Sequence, residues 1–323
     1  MALNPSDFIT RNALESSSIR YANGEKDYIA DELFHPTPVN KEQIKLWQYD
    51  TSNYRRVVTK KSSKAKADVV DYSGFYSPRT CELHKLQGEV DPNDAKNFDT
   101  PVAQVETDTM MTVMDRLLID KEVEAYTLAG TTSNYPSDLT SALGAGVTWA
   151  TDGGDPEADA KTARLAVKAR TGRVVNALAI SYTGYQHLAN NAALKERVKY
   201  TSGQSLTVDQ LKNLLQVQNI FICAAMQNTN VEGNSTQTLA EIWGDEAVFF
   251  VHDPSPRLKK VCYGIQPIFN RLYSRKWEDQ ERGSGDGPIQ MMELGWSYDL
   301  DAGAVISSSD GDFAAGYCLD NIF

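Results

Sequence analysis

Cysteine is scarce in this sequence. The chain of 323 residues holds four, Cys81, Cys223, Cys262 and Cys318, widely scattered and with no C-x-x-C. That spacing argues against a disulfide framework and fits free thiols in a reducing compartment. The histidines, His35, His84, His187 and His252, stand at no metal-ligand spacing to one another or to cysteine. No G-x-S-x-G is present, so a nucleophile elbow is not signalled. Gly283-Ser284-Gly285-Asp286-Gly287 does not follow a strand and open a helix as a phosphate loop must, and reads as a surface loop. Asp299-Leu300-Asp301 and Asp310-Gly311-Asp312 lack the remaining ligands of a calcium loop and read as turns. The residues therefore nominate no catalytic site, no cofactor and no metal.

Long apolar runs are missing too. The longest, at 220–226 and 247–251, fall far short of a bilayer span. Residues 1–15 include Pro5 and Asp7 and show no apolar signal-peptide core. The expectation is a soluble intracellular product with no membrane partner. Positive charge is in deficit: 32 Lys and Arg against 43 Asp and Glu leave a net charge of −11. Such a chain is poorly suited to gripping a nucleic-acid backbone, which needs cations to displace counterions.

What is present is a globular composition, 41% hydrophobic and 23% charged. The length allows two core-forming units or one large elaborated domain. Mean hydropathy of −0.42 leaves room for extended exposed segments.

The stretch 100–130 organises the chain. Thr100 is placed to cap a helix, Pro101 to occupy its first turn, and Gly130 to end it in a left-handed residue. Nothing between Val102 and Ala129 interrupts it, which predicts roughly 40 Å of helix. Val102, Val105, Thr109, Val113 and Leu117 share one face, while Met110, Met114, Leu118 and Ile119 extend the apolar ground around the circumference. A helix of this kind packs on more than one side, as a spine.

Before it, residues 1–40 read as an arm. Tyr28, Ile29, Leu33 and Phe34 precede Pro36 and Pro38, which hold the chain extended, and these apolar residues need some other surface to cover them. Residues 45–66 carry Lys45, Arg55, Arg56, Lys60, Lys61, Lys64 and Lys66 against Asp50 alone, a local charge of +6. Trp47, Tyr49, Tyr54, Val57 and Val58 predict one arm of a hairpin, Ser62-Ser63 its tip and 67–76 its return. A basic run is ordinarily a solvated face; the alternatives are a nucleic-acid site and docking on an acidic partner.

After the spine, 131–154 reads as loops. A second helix is marked by Asp155, Pro156, the terminal cations Lys168 and Arg170, and Gly172. From 174 short strands and helices alternate: strand 174–180, helix 183–198 with Tyr185, Leu188 and Ala192 on one face, and helix 207–215. The last carries a Thr207/Gln210 capping box and a Leu206/Leu211 staple. Strand 217–226, a polar loop at 227–237 and strand 247–252 follow, together a compact α/β block. A strand at 268–277 leaves the block. Residues 278–312 then hold Glu278, Asp279, Glu281, Asp286, Glu293, Asp299, Asp301, Asp310 and Asp312 against Arg282. Short strands are expected at 290–294 and 305–307.

Particular stretches have a familiar wording. They are Tyr28-Ile29-Ala30-Asp31-Glu32-Leu33-Phe34 with Pro36, Pro38 and Val39; Trp47-Gln48-Tyr49-Asp50 with Tyr54-Arg55-Arg56; Asn176-Ala177-Leu178-Ala179-Ile180; Tyr185-Gln186-His187-Leu188; Ile220-Phe221-Ile222; and Ile242-Trp243-Gly244-Asp245. In this order they resemble the major capsid proteins of tailed bacteriophages, of the Hong Kong ninety-seven type, over nearly the whole chain. The resemblance implies an α+β fold with an N-terminal arm (1–44), an extended E-loop hairpin (45–88) and a peripheral domain (89–172) holding a spine helix at 101–129. A compact axial domain (173–263) and returning strands with a C-terminal tail (264–323) complete it. It implies a structural protein, not an enzyme, forming pentamers and hexamers of an icosahedral shell around double-stranded DNA. Its place is the virion capsid, assembled in the host cytoplasm. Members with a fused scaffold carry a long helical segment before the arm. Its lack here implies a separate scaffolding protein or prior cleavage, besides a portal and a decoration protein. No cross-linking motif can be placed, so no covalent cross-link is expected. The alternatives are an encapsulin-like compartment and a soluble α/β enzyme built on 173–263.

Two sets of inter-subunit contacts follow. Tyr28, Ile29, Leu33 and Phe34 would be covered by a neighbour. Arg55, Arg56, Lys60, Lys61, Lys64 and Lys66 would lie over a neighbour's 278–312 segment, with Asp279 and Glu281 as first partners.

Overall fold

With no proline or glycine to stop it between Val102 and Ala129, the chain forms one helix, Val102–Gly130. The computed structural model describes residues 23–49, 55–71, 73–91, 102–198, 206–230, 237–255, 260–284, 287–303 and 313–323. In chain order the elements are α1 (Ala30–Leu33), β1 (Phe34–Pro38), β2 (Gln43–Tyr49), β3 (Gly74–Thr80), β4 (Glu82–Val90), α2 (Val102–Gly130, the spine) and β5 (Thr140–Ala142). Next come α3 (Pro156–Thr171), β6 (Ala177–Ser181), α4 (Tyr182–Asn190), α5 (Ala192–Val198), α6 (Val208–Leu215), β7 (Asn219–Cys223), β8 (Met226–Asn228) and β9 (Leu239–Glu241). The chain ends with β10 (Ala247–Phe250), β11 (Gly264–Ser284), β12 (Gly287–Tyr298), β13 (Asp301–Ala302) and β14 (Gly316–Asp320).

The spine serves two cores. In its first half Val113 and Leu117 are buried against Leu294, with Met110, Met114 and Trp296 around them. In its second half Ala125 and Ala129 enter the main core, and Ile119, Val123 and Leu128 pack on its edge. Burying side chains of this size stabilises by about 1.5–3 kcal/mol each, so the helix is held by its tertiary partners at both ends. Thr100, Pro101 and the Val102 side chain, read as its start, lie outside the described residues. Its end differs from expectation. Gly130 is not left-handed; among described residues positive-φ glycines are Gly172 and Gly287. The last carbonyls are taken by side chains instead. Thr131 Oγ1 donates to Thr127 O at 2.6 Å, Asn134 Nδ2 to Leu128 O at 2.9 Å and Tyr135 OH to Ala129 O at 2.6 Å. With those acceptors satisfied, a Schellman turn has nothing left to do.

One sheet runs β1-β11-β12-β4, with β13 also paired to β11. Its long antiparallel ribbon, β11 with β12, carries register shifts near Asn270 and between Asp279 and Gly283. β1 lies parallel to β11 at an edge, where Pro36 and Pro38 need supply no outward N–H. The sheet rests on the spine through Gly88 of β4, where an added Cβ would lie 2.4 Å from Thr109 Cγ2.

The second sheet runs β5-β14-β10-β6-β7. β6 and β10 are buried along their whole length, as a strand covered on both faces must be. The α/β block expected at 173–263 therefore reaches further. β14 inserts between β5 and β10, with Cys318 opposite Val248 on one side and Thr140 on the other. α3 packs over β10 and β14. It is capped as expected: Asp155 Oδ1 accepts from Ala158 N, and Gly172, at φ 70°, donates to Lys168 O. The helix expected at 183–198 is broken at Asn191. That side chain donates to Trp149 O and Gly154 O and accepts from Ala193 N and Leu194 N, capping a new helix. Ala192 is consequently exposed instead of sharing the buried face of Leu188. The Thr207/Gln210 capping box forms, with Leu206 and Leu211 both buried beside it. The strand expected at 305–307 lies outside the described residues.

The contact at Gly88 is testable. Gly88→Ala should lower stability by about 1–3 kcal/mol through overpacking, read as a lower denaturation midpoint. Thr109→Ser removes the opposing methyl and keeps the hydroxyl bond to Val105 O. Combined with Gly88→Ala it should recover most of the loss.

Candidate assembly surface

β2 and β3 pair antiparallel, Gln43 opposite Thr80 through Tyr49 opposite Gly74, and Trp47 meets Tyr76 edge-on at 4.7 Å. The base of this hairpin is anchored. Arg79 forms an ion pair with the buried Asp301, and Cys81 N donates to Glu42 O at 3.0 Å. Beyond the strands the chain runs out and back through 55–71, and Ala65 N closes a turn on Ser62 O at 3.0 Å, where the tip was expected. Everything described along this excursion is exposed. Val58 is 68% exposed, Val69 84% and Val70 62%. The structure thus brings Arg55, Arg56, Lys60, Lys61, Lys64 and Lys66 together on one projection. Lys61 spends part of its charge on Asp68, 2.8 Å away.

The acidic stretch is less free than its composition promised. Glu293 is buried, accepts from Tyr273 OH at 3.1 Å and Gln87 Nε2 at 3.3 Å, and faces Lys85. Although desolvation opposes it, this set of partners holds the Glu293 carboxyl below its ordinary range. Asp301 is committed to Arg79. Of the predicted partners, Glu281 is exposed on β11 and Asp279 is half-buried, its Oδ1 accepting from Glu281 N at 3.1 Å. Within one chain neither meets the hairpin cations in any described ion pair.

The arm departs from expectation. Ile29 (3% exposed), Leu33 (2%) and Phe34 (0%) are buried in the main core of their own chain, and Tyr28 is half-buried against it. Phe34 packs on Tyr263 and Phe313, with ring centroids 5.9 and 6.0 Å away. The reading that a neighbour must cover them is corrected. Sequence alone missed the cause, a buried carboxylate on the spine. Glu122 Oε2 accepts from Ile29 N (3.1 Å) and Ala30 N (2.9 Å), the donors at the start of α1. Its Oε1 accepts from Trp243 Nε1 (2.9 Å) and Cys223 Sγ (3.6 Å). Beside it Lys121, also buried, pairs with Asp31 and lies over the rings of Trp296 and Tyr298 at 5.1 and 5.8 Å. The helix carries charges along its length, Glu106, Asp108, Asp115, Arg116, Asp120 and Glu124 among them, so nothing local marked Lys121 and Glu122 as the buried ones.

Among the described residues, Asp245, Glu246 and Asp320 bring carboxylate oxygens within 4.8 Å of one another. The Tyr126 hydroxyl already donates to Glu246 at 2.7 Å. No described helix is long and apolar enough to cross a membrane.

No known family model matches the sequence. The chain is 23% identical over 236 residues to the major capsid protein of Burkholderia phage BcepMu, covering 73% of this chain and 74% of that one. It is 25% identical over 243 residues to the major capsid protein of Pseudomonas phage JBD67, covering 74% and 76%. A phage-related protein from Bordetella bronchiseptica RB50 superposes with a TM-score of 0.70 at 20% identity over 93% of both chains. The capsid of Myoviridae phage XM1 superposes with a TM-score of 0.56 at 10% identity over 99% of both. The chain has the major capsid fold of tailed phages.

In this capsid fold residues 28–34 are clamped to the spine, and the described residues of the hairpin projection are left uncovered by their own chain. The clamp is testable. Glu122→Ala leaves four donors without an acceptor and should cost about 3–5 kcal/mol. Limited proteolysis should then cut near residues 28–34 before the core opens. Burial pushes the Glu122 carboxyl above its usual value of 4.5, against the pull of its hydrogen-bond donors. The folded chain therefore binds more protons at this group than the unfolded chain does. Its contribution is fully present below about pH 4.5 and is lost as pH rises through the raised value. Denaturation midpoints of the unaltered chain and of Glu122→Gln, compared across this window, should differ by that slope.

Proposed function

We propose that this chain is the coat subunit of a tailed phage, its copies closing as pentamers and hexamers into an icosahedral shell around double-stranded DNA. The role is structural. One observation carries the reading beyond the fold: the 55–71 projection exposes apolar and basic side chains that its own chain does not cover. Two exposed valine pairs, Val57-Val58 and Val69-Val70, among six cations support docking on another surface. The hairpin cations lie over a neighbour's acidic ribbon surface, with Asp279 and Glu281 as first partners. A separate scaffolding protein and a portal act in assembly, and a decoration protein is a further candidate. Assembly takes place in the host cytoplasm. The net charge of −11 suits a container wall that does not grip packaged DNA.

Electron microscopy of the purified chain, alone and with its scaffolding protein, should show rings or closed shells. A monodisperse monomer under both conditions would overturn the reading. Changing Arg55, Arg56, Lys60 and Lys61 together to Glu should block assembly. The melting temperature of the isolated subunit should hold, since exposed substitutions of this kind stay within about 0.5 kcal/mol. Asp279→Lys with Glu281→Lys in the same chain should partly restore particles. Normal shells from the fourfold variant at low salt would reduce the charge to a solvated face. Duplex DNA should bind isolated subunits weakly, and less so as salt rises.

A further inference from the structure

Asn23-Gly24 is the one Asn-Gly step in the sequence. A glycine nitrogen is the least hindered backbone nucleophile that an asparagine side chain can meet, because no Cβ shields it. Here the step is built into the fold. Met226, the first residue of β8, holds the Asn23 amide at both atoms. Its N–H donates to Asn23 Oδ1 at 3.0 Å, and its carbonyl accepts from Nδ2 at 3.0 Å. Nδ2 also donates to the Tyr28 hydroxyl at 3.1 Å. Across the step, Gly24 N donates to Asp27 Oδ2 at 2.6 Å. The turn between them is closed by Asp27 N on Gly24 O at 3.0 Å and tied down by Ala224 N on Asp27 O at 3.2 Å. Both ends of 23–27 therefore rest on the segment 224–226.

Three of these partners meet the three demands of one reaction, attack of Gly24 N on Asn23 Cγ. The attacking nitrogen must lose its proton, and the Asp27 carboxylate is already hydrogen-bonded to it. Oδ1 must carry negative charge, and the Met226 N–H stands on it as an oxyanion donor. The amide nitrogen must be protonated to depart, and the Tyr28 hydroxyl lies beside it. Burial, helped by the charges of Asp115, Glu122 and Asp27, raises the Tyr28 phenol above its ordinary value, so it holds its proton at neutral pH. The fold thus supplies in advance an orientation that a loose chain must find by chance. Gly24 is exposed, so water reaches the product.

We propose that Asn23-Gly24 is a self-modification site, where the chain closes a succinimide and opens it to aspartate and isoaspartate. The bond from Gly24 N to Asn23 Cγ forms, the bond from Cγ to Nδ2 breaks, and the Gly24 proton passes to Asp27. Tyr28 gives its proton to the departing ammonia and recovers one from Asp27 through solvent. Water then adds across either C–N bond of the ring. The product carboxylate lacks the N–H groups that the Met226 carbonyl and the Tyr28 hydroxyl accept. The reaction therefore unties residue 23 from β8 in one direction only.

The test is the full chain, incubated folded at neutral pH beside the same chain in denaturant, with isoaspartate at residue 23 measured by peptide mapping. The folded chain should react at least tenfold faster. Asp27→Asn and Tyr28→Phe should each slow the folded chain at least tenfold and leave the rate in denaturant unchanged. Asn23→Gln, whose longer side chain closes a less favourable ring, should show no product. A folded rate at or below the denatured rate would mean that the hydrogen bonds protect the amide, and overturns the proposal. An unchanged rate in folded Asp27→Asn overturns it too. So does scission between residues 23 and 24 without isoaspartate, which would make Nδ2 the nucleophile.

Discussion

A carboxylate with no access to solvent joins three parts of this chain at one point. Glu122 holds the start of α1 with one oxygen, and Trp243 and Cys223 with the other. Taking a charge out of water is costly, and the four donors offset only part of that cost, since burial still holds the carboxyl above its usual value. The donors come from the arm, from the strand β7 and from the segment after β9, so none of these can move without exposing the deficit. Residues 28–34 of the arm are therefore held as part of the subunit's own core. This decides where a shell contact can form. Elements that complete a fold internally are unavailable as interchangeable contacts, whereas the described residues at 55–71 are exposed throughout.

The spine helix explains how one subunit stays rigid across two sheets. Val113 and Leu117 belong to the sheet built on β11 and β12, while Ala125 and Ala129 belong to the α/β core. A single helix with no internal break transmits position between the two. The Gly88 contact sets how closely the first sheet approaches it. The sheet's β1 edge is closed by chemistry as well as by position. Two prolines at Pro36 and Pro38 deny that strand regular donors, so it does not template another.

Much of this was legible. Punctuation by proline, glycine and capping residues placed α3 and α6, because those signals are local and the caps formed as read. The spine was legible because nothing interrupts it. What sequence hid was long-range. β14 completes the second sheet from 316–320, and nothing in five residues of chain announces the partner strands on either side. The break at Asn191 depends on carbonyls of Trp149 and Gly154, about forty positions away. The arm was misplaced for the same reason. Its apolar residues do need a cover, but the cover, Tyr263 and Phe313, follows more than two hundred residues later. The cations of the projection were legible as a basic run because charge density needs no partner to be counted. That Glu293 and Asp301 of the acidic run are spent inside their own chain was not.

The two kinds of side chain on the projection have different work in an assembly. Exposed ion pairs contribute about 0.2–1 kcal/mol each and are screened by salt. They orient an encounter and reject a like-charged surface more than they hold one. Valines at Val58, Val69 and Val70 lose water on contact at about 25 cal/mol per Å², and salt does not screen that term. Placing both on one chain segment would separate finding a partner from keeping it. A subunit that is net acidic repels its copies at a distance, and a local cluster of cations reverses the sign only where the projection points. In the shell proposed above, that local reversal would make assembly directional even though the net charge of −11 opposes it.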